Sequence, residues 1–430
     1  MLFMTATASA SRLKATIAAL ADDRFAGRRA GTPGGRAAGH WLAGQLRAIG
    51  ASVTTDEFPV AGVRELYRTP EFSWSADSAP RRWVHRRDFA EHLASTDLPA
   101  PRTGELAFTD SDAWREKWVL APNLGVSARA LTEGAAGLLV PRGTDAAGWM
   151  PKMIAGPSVG ALPVIAVCTE LHEEMTRAGS GTVTASMPMR VVEVAGSSVH
   201  GVLREPAGRS PNVLLTAHFD GVGDDPEQRL PAAADNASGV AVVLEAARLL
   251  APFLPDHVGL AVSLLDGEEA GARGSAHHAP SVRSGTYVIN VDGAAKLGDG
   301  AAVEAGGPAH DLLAALDQAG RETGVPLRAG AMPSDNRRYA AAGLPAVGIG
   351  MGMPGYQTPA ETEDRVETET LVAATRLVVA TVLQLATHSR GRSPRLAPAS
   401  DHRRFPLADN GFVDAQLSSS AHRARPHGPP

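Results

Sequence analysis

From about residue 200 onward, short apolar runs free of charge alternate with longer amphipathic ones, and few folds accept that rhythm. The runs NVLLTA (212–217), VGLAVSLL (258–265), TYVINV (286–291) and LPAVGIGM (344–351) have the composition of strands covered on both faces. Between them, SGVAVVLEAARLL (238–250) repeats Val240, Val243, Leu244, Ala247 and Leu250 at helical spacing. PAHDLLAALDQAG (308–320) opens with Pro308 and ends on Gly320, the usual start and stop signals of a helix. ETETLVAATRLVVATVLQLATH (367–388) reads as a long final helix. The alternation predicts an α/β domain whose mixed, largely parallel central sheet carries helices on both faces.

The first part of the chain belongs to the same domain. GGRAAGHWLAGQLRAIGA sets Trp41, Leu42, Leu46 and Ile49 on one helical face before Gly50, and SVTTDEFPV then alternates as a strand does. From about 61 to 195 the texture changes to short strand-like segments such as KWVLAP, GLLVPRG, LPVIAVC and GTVTAS, with one helix-like stretch, TELHEEMTRAG. A chain of 430 residues exceeds one ordinary core. The expected division is therefore 1–60 with 196–390 as one domain, 61–195 as a smaller, strand-rich inserted domain, and 391–430 as a disordered tail rich in Pro, Ser and Arg.

Charge narrows the function. Lys plus Arg is 41 against 46 for Asp plus Glu, a net charge of −5, and the arginines are scattered. That argues against a nucleic-acid binder, which usually shows a concentrated basic face. The single cysteine, Cys168, sits in an apolar run and reads as a small buried hydrophobe, which leaves no internal disulfide and no cysteine-based metal site. The N-terminus lacks a secretory pattern, and no apolar run approaches the about 18 residues of a membrane span. A cytoplasmic protein with no membrane partner is expected, and the wealth of Ala, Gly, Arg and Pro suggests a GC-rich bacterial genome. Oligomeric state leaves no signal in the sequence.

In open α/β sheets ligands bind beyond the carboxyl ends of the strands. Here NVLLTA runs into His218 and Asp220, VGLAVSLL into Asp266, Glu268 and Glu269, and TYVINV into Asp292. Asp235 and Asn236 stand just before a helix, and LPAVGIGM leads towards Tyr356 and Gln357. Singly, each has an ordinary reading as a loop histidine, a helix cap or a solvated acid. Together they bring imidazole and carboxylates to one rim, where buried anions are costly without a cation. A divalent metal with nitrogen and oxygen ligands, zinc first among them, meets that need.

The segments HFD…AAADNASGVAVVLE, DGEEAGARGSAHHA, NVDGA, SDNRRYAAAGLPA and YQTPAETEDRV resemble, in order and spacing, the M28 family of zinc aminopeptidases, a family of clan MH metallopeptidases with the zinc exopeptidase fold. The resemblance covers about 200–388, and the inserted part resembles, more weakly, the family's protease-associated domain. The resemblance implies an aminopeptidase that removes an N-terminal residue from a peptide or amino-acyl amide with metal-activated water. It implies that His218, Asp235 and Asp292 hold a first metal, that Asp235 bridges to a second, and that Glu269 is a ligand of the second. It further implies that Glu268 is the general base, that Asp220 orients His218, and that Tyr356 helps stabilise the oxyanion.

One position departs from the family pattern. Tyr-His-Thr-Pro is expected at the last motif, and the chain reads Tyr356, Gln357, Thr358, Pro359; Asn336 likewise stands where the family's Ser-Asp-His has histidine. An amide oxygen is a much poorer zinc donor than imidazole. One or two zinc ions therefore remain open, as does a second reading: a non-catalytic or repurposed homologue that binds or processes a peptide or amide. His277, His278 and His310 could substitute for the missing ligand but read as packing or surface residues. GPSVG (156–160) matches a serine-hydrolase elbow in letters only, because a strand-like run follows it where a helix is required.

Overall fold

The computed structural model describes residues 7–76, 81–208 and 210–388; the tail expected over 391–430 lies outside them. In chain order the elements are α1 (Ala10–Ala21), α2 (Pro33–Ala48), β1 (Ser52–Leu66), β2 (Phe72–Ser75), β3 (Arg81–Arg82), β4 (Phe89–Glu91), β5 (Leu98–Phe108), β6 (Trp118–Leu120), α3 (Ser127–Glu133), β7 (Gly137–Arg142), β8 (Val164–Cys168), α4 (Thr169–Ala178) and β9 (Thr182–Met187). They continue with β10 (Met189–Arg204), β11 (Asn212–His218), α5 (Ser238–Leu250), β12 (Gly259–Leu265), α6 (Arg273–His278), β13 (Tyr287–Val291), β14 (Ala301–Gly306), α7 (His310–Thr323), β15 (Leu327–Ala329), α8 (Asn336–Ala341), β16 (Ala346–Gly350) and α9 (Thr368–His388).

The fold is mixed α/β with two sheets. The central one has the order β1-β10-β12-β11-β13-β16-β14-β15. Its middle strands, β12, β11, β13 and β16, run parallel, and antiparallel neighbours join on each side. The apolar runs become these middle strands because both faces are covered: Leu215, Val262, Ile289 and Val347 are buried. α5 is buried along its whole length except at Arg248, more than an amphipathic pattern requires, and its buried Glu245 is paired with Arg12 and Arg248. The second sheet, β3-β2-β9-β5-β6-β7-β8-β4, is built entirely from residues between Phe72 and Met187 and has its own core around Trp118, Ile165 and Met187. The division expected at 61 and 196 falls inside β1 and β10, which pair antiparallel as one long ribbon of the central sheet from Ser52 to Leu66.

Two expectations about helices change. α7 does not stop at Gly320 but runs to Thr323 and is capped by Gly324 at φ +73°. Gly320 is there for packing: a Cβ would meet the Leu327 side chain at 3.0 Å. α9 is long and apolar enough to cross a membrane, with a mean hydropathy of 1.6 over Thr368–Thr387, although no such run was expected. Thr375, Thr381 and Gln384 disguise it in the sequence; Thr375 and Thr381 spend their hydroxyls on carbonyls one turn back. Its Leu371, Leu377, Val378 and Val382 lie in the main core.

Candidate metal centre

His218 is the last residue of β11, and Asp292 follows β13 directly. The register of the parallel pairs sets these ends side by side, with His218 opposite Leu265 and Thr216 opposite Asn290. Asp235 arrives from the other direction, in the turn that opens α5, where the Asp235–Asn236 peptide is cis. Asn236, not Asp235, caps the following turn. Its Oδ1 accepts from Gly239 (2.9 Å) and Gly293 (3.0 Å), and its Nδ2 donates to the Val291 carbonyl (2.9 Å). The Asp235 carboxylate is thereby left for the site.

The three side chains converge. His218 Nε2 lies 3.1 Å from Asp235 Oδ1 and 3.2 Å from Asp292 Oδ1. One donor atom from each of the three falls within 4.8 Å of the others, and this is the group of metal-binding character among the described residues. All three are buried. The far side of the imidazole is held too: His218 Nδ1 lies 3.2 Å from the Asp220 carbonyl and 3.5 Å from its Oδ1. Asp220 also accepts the backbone N–H groups of Glu268 (3.1 Å) and Glu269 (3.2 Å). One buried carboxylate thus orients the imidazole and fixes the turn that carries both glutamates.

Glu268 Oε1 and Glu269 Oε1 are buried with no hydrogen-bond partner. Burial, compounded by Asp292, Asp335 and Asp235, pushes the Glu268 carboxyl well above its usual range, and burial with Asp235 and Glu268 does the same to Glu269. Burial alone would depress the His218 imidazole, but Asp292, Asp220 and Asp235 outweigh it and hold it well above its usual value. This is the electrostatics of a cluster built around a cation. The donor set, one imidazole and two carboxylates at ligand spacing beside unpartnered glutamate oxygens, fits zinc.

Tyr356 is half-buried, and its phenol is pushed well above its usual pKa by burial and by Asp235, Glu269, Glu268 and Asp292. Gln357 is buried with φ +52°. Its Nε2 donates to Glu269 Oε2, its N–H donates to Glu361 Oε2 (2.7 Å), and its carbonyl accepts from the Lys152 N–H (2.8 Å). Asp266 turns away from the site: its Oδ2 accepts from Ser197 (2.8 Å) and its Oδ1 from Gly267 (2.9 Å).

Residues not singled out from sequence complete the surroundings. Glu361, 1% exposed, accepts from the N–H groups of Ala234 (3.0 Å) and Asp235. Arg28 is buried and donates to four carbonyls, those of Leu20, Phe219, Pro231 and Ala232. From the loop between β7 and β8, Lys152 donates its ammonium to the carbonyls of Gly223 (2.9 Å) and Asp224 (3.0 Å). Asp335 is fully buried with both oxygens unpartnered.

The alternative histidines are elsewhere. His277 faces Asp56 and stacks on Phe58, His278 meets the Tyr339 hydroxyl (2.9 Å), and His310 is exposed at the start of α7. Cys168 is buried, and its sulfur accepts from Leu171 at the start of α4. GPSVG lies in the loop between β7 and β8.

Residues 198–382 match the profile of peptidase family M28, which supports a peptidase-type hydrolase. No curated protein sequence matches the chain significantly. Among solved structures, a zinc aminopeptidase from Bacillus subtilis superposes with a TM-score of 0.67 at 21% identity, covering 87% of this chain and 94% of its own. An aminopeptidase from Aneurinibacillus sp. strain AM-1 gives 0.65 at 20%, covering 88% and 94%. A peptidase M28 precursor from Shewanella amazonensis gives 0.67 at 17%, covering 90% and 96%. These likenesses establish a shared fold.

Proposed function

We propose that the protein is a metal-dependent aminopeptidase that releases the N-terminal residue of a peptide or amino-acyl amide. The observation that carries this is the convergence of His218, Asp235 and Asp292 beside Glu268, whose buried Oε1 has no partner. Zinc held by these three would polarise the scissile carbonyl and acidify the attacking water. Glu268 is the group free to take a proton from that water and return it to the leaving amine. Asp220 keeps the His218 ring in its ligating orientation through Nδ1. Tyr356 stays protonated at neutral pH and is available as a donor to the developing oxyanion. The surplus of carboxylates suits a substrate that presents a free ammonium group.

The Bacillus subtilis and Aneurinibacillus proteins are both aminopeptidases, which favours the same reading. Gln357 favours a second one, a homologue that binds or processes a peptide or amide without ordinary aminopeptidase activity. The test is digestion of one peptide in two forms by zinc-loaded protein, followed by mass spectrometry. The free form is expected to shorten from its amino end and the N-acetylated form to remain intact. Equal cleavage of both forms overturns the aminopeptidase assignment, and cleavage of neither favours the second reading.

A further inference from the structure

We infer that the site takes a single metal ion, and that the paired side chains of Gln357 and Glu269 stand in place of the second; this rests on the metal-dependent reading above. Gln357 donates through Nε2 to Glu269 Oε2. In that orientation the amide satisfies the carboxylate, whereas the reverse would set two acceptors against each other when Glu269 is ionised. Glu269 thus has one oxygen engaged by a neutral donor, the kind of partner a cation would displace. The amide oxygen, Oε1, is buried and has no partner, so it is turned away from the carboxylate it would have to join in holding an ion.

The backbone fixes this arrangement. Gln357 is held at φ +52° by Glu361 on its N–H and by the Lys152 N–H on its carbonyl. Lys152 comes from the segment that forms the second sheet, and its ammonium is tied to the 223–225 loop through two carbonyls and Asp225 Oδ1 (3.1 Å). The inserted segment therefore braces the residue that decides the metal count. The other position is independent of it: His218, Asp235 and Asp292 form a complete three-donor group without Glu269 or Gln357.

The test counts zinc per full-length chain by inductively coupled plasma mass spectrometry after equilibration against low-micromolar zinc, so it does not depend on turnover. Wild type is expected to carry one ion. Glu269→Gln keeps one, because Glu269 does not hold it, and Asp292→Asn falls well below one. Gln357→His is expected to carry two, and histidine tolerates a left-handed backbone better than most residues. Two ions in the wild type, with the amide turned to offer its oxygen, overturn the inference, as does loss of the ion in Glu269→Gln. A count of one in Gln357→His overturns the assignment of the metal count to Gln357. One ion without hydrolysis would defeat the proposed function alone, and two ions with hydrolysis would defeat this inference alone.

Discussion

Asp220 shows how much of the site hangs on one side chain. It is fully buried, faces His218 Nδ1, and accepts the backbone N–H groups of both Glu268 and Glu269. Asp220→Asn keeps the volume but removes the charge that favours the ligating form of the imidazole. Zinc affinity is predicted to fall about 10–100-fold, read by competition with a chromogenic chelator. The ligand candidates were legible in the sequence because each directly follows an apolar strand or opens a buried helix. Glu361 was not, since an acid in TPAETEDRV looks solvated; only folding carries it under the Asp235 turn. Lys152 and Arg28 were equally hidden, because their acceptors are backbone carbonyls, which leave no pattern in side chains.

The seam between the two sheets is held by buried charge. Arg86 and Glu91, from the region of the second sheet, meet Asp225, which follows β11 of the central sheet; Arg86 Nη2 reaches Glu91 Oε1 (2.9 Å) and its Nε reaches Asp225. Against burial, Arg86 and His85 hold the Glu91 carboxyl down at about 2. Because this lies below the unfolded value, the stabilisation is complete above about pH 4.5 and is lost as pH falls through about 2. Arg86→Met leaves two buried carboxylates short of a partner and is predicted to cost about 3–5 kcal/mol at pH 7 in denaturant unfolding. The variant should also lose the seam's share of the decline in Tm below pH 4.5. Rhythm and composition disclosed the existence of a second, strand-rich region, but not this latch. Arg86, Asp225 and Lys152 are far apart in the chain, and nothing local marks them as partners. Gly320 misled for the related reason that its role is set by contact with Leu327 across space.

At the scale of the molecule, the central sheet places His218 and Asp292 at the carboxyl ends of buried strands, and the turn that opens α5 brings Asp235 to them. α9 closes that core. Leu377 is fully buried among residues of α5 and α7, and Leu377→Ala is predicted to cost about 2–5 kcal/mol in global stability, measured by urea unfolding. Under the proposed function this scaffold serves hydrolysis by a metal and Glu268. The most direct measurement is the initial rate of amino-acyl p-nitroanilide hydrolysis by wild type and Glu268→Gln, with zinc content determined on the same samples. The wild-type rate is expected to be abolished by chelation and restored by zinc, and kcat to be about 10²–10⁴-fold lower in Glu268→Gln at unchanged zinc content. A zinc-loaded wild type that hydrolyses nothing, or a Glu268→Gln variant as active as wild type, would contradict it.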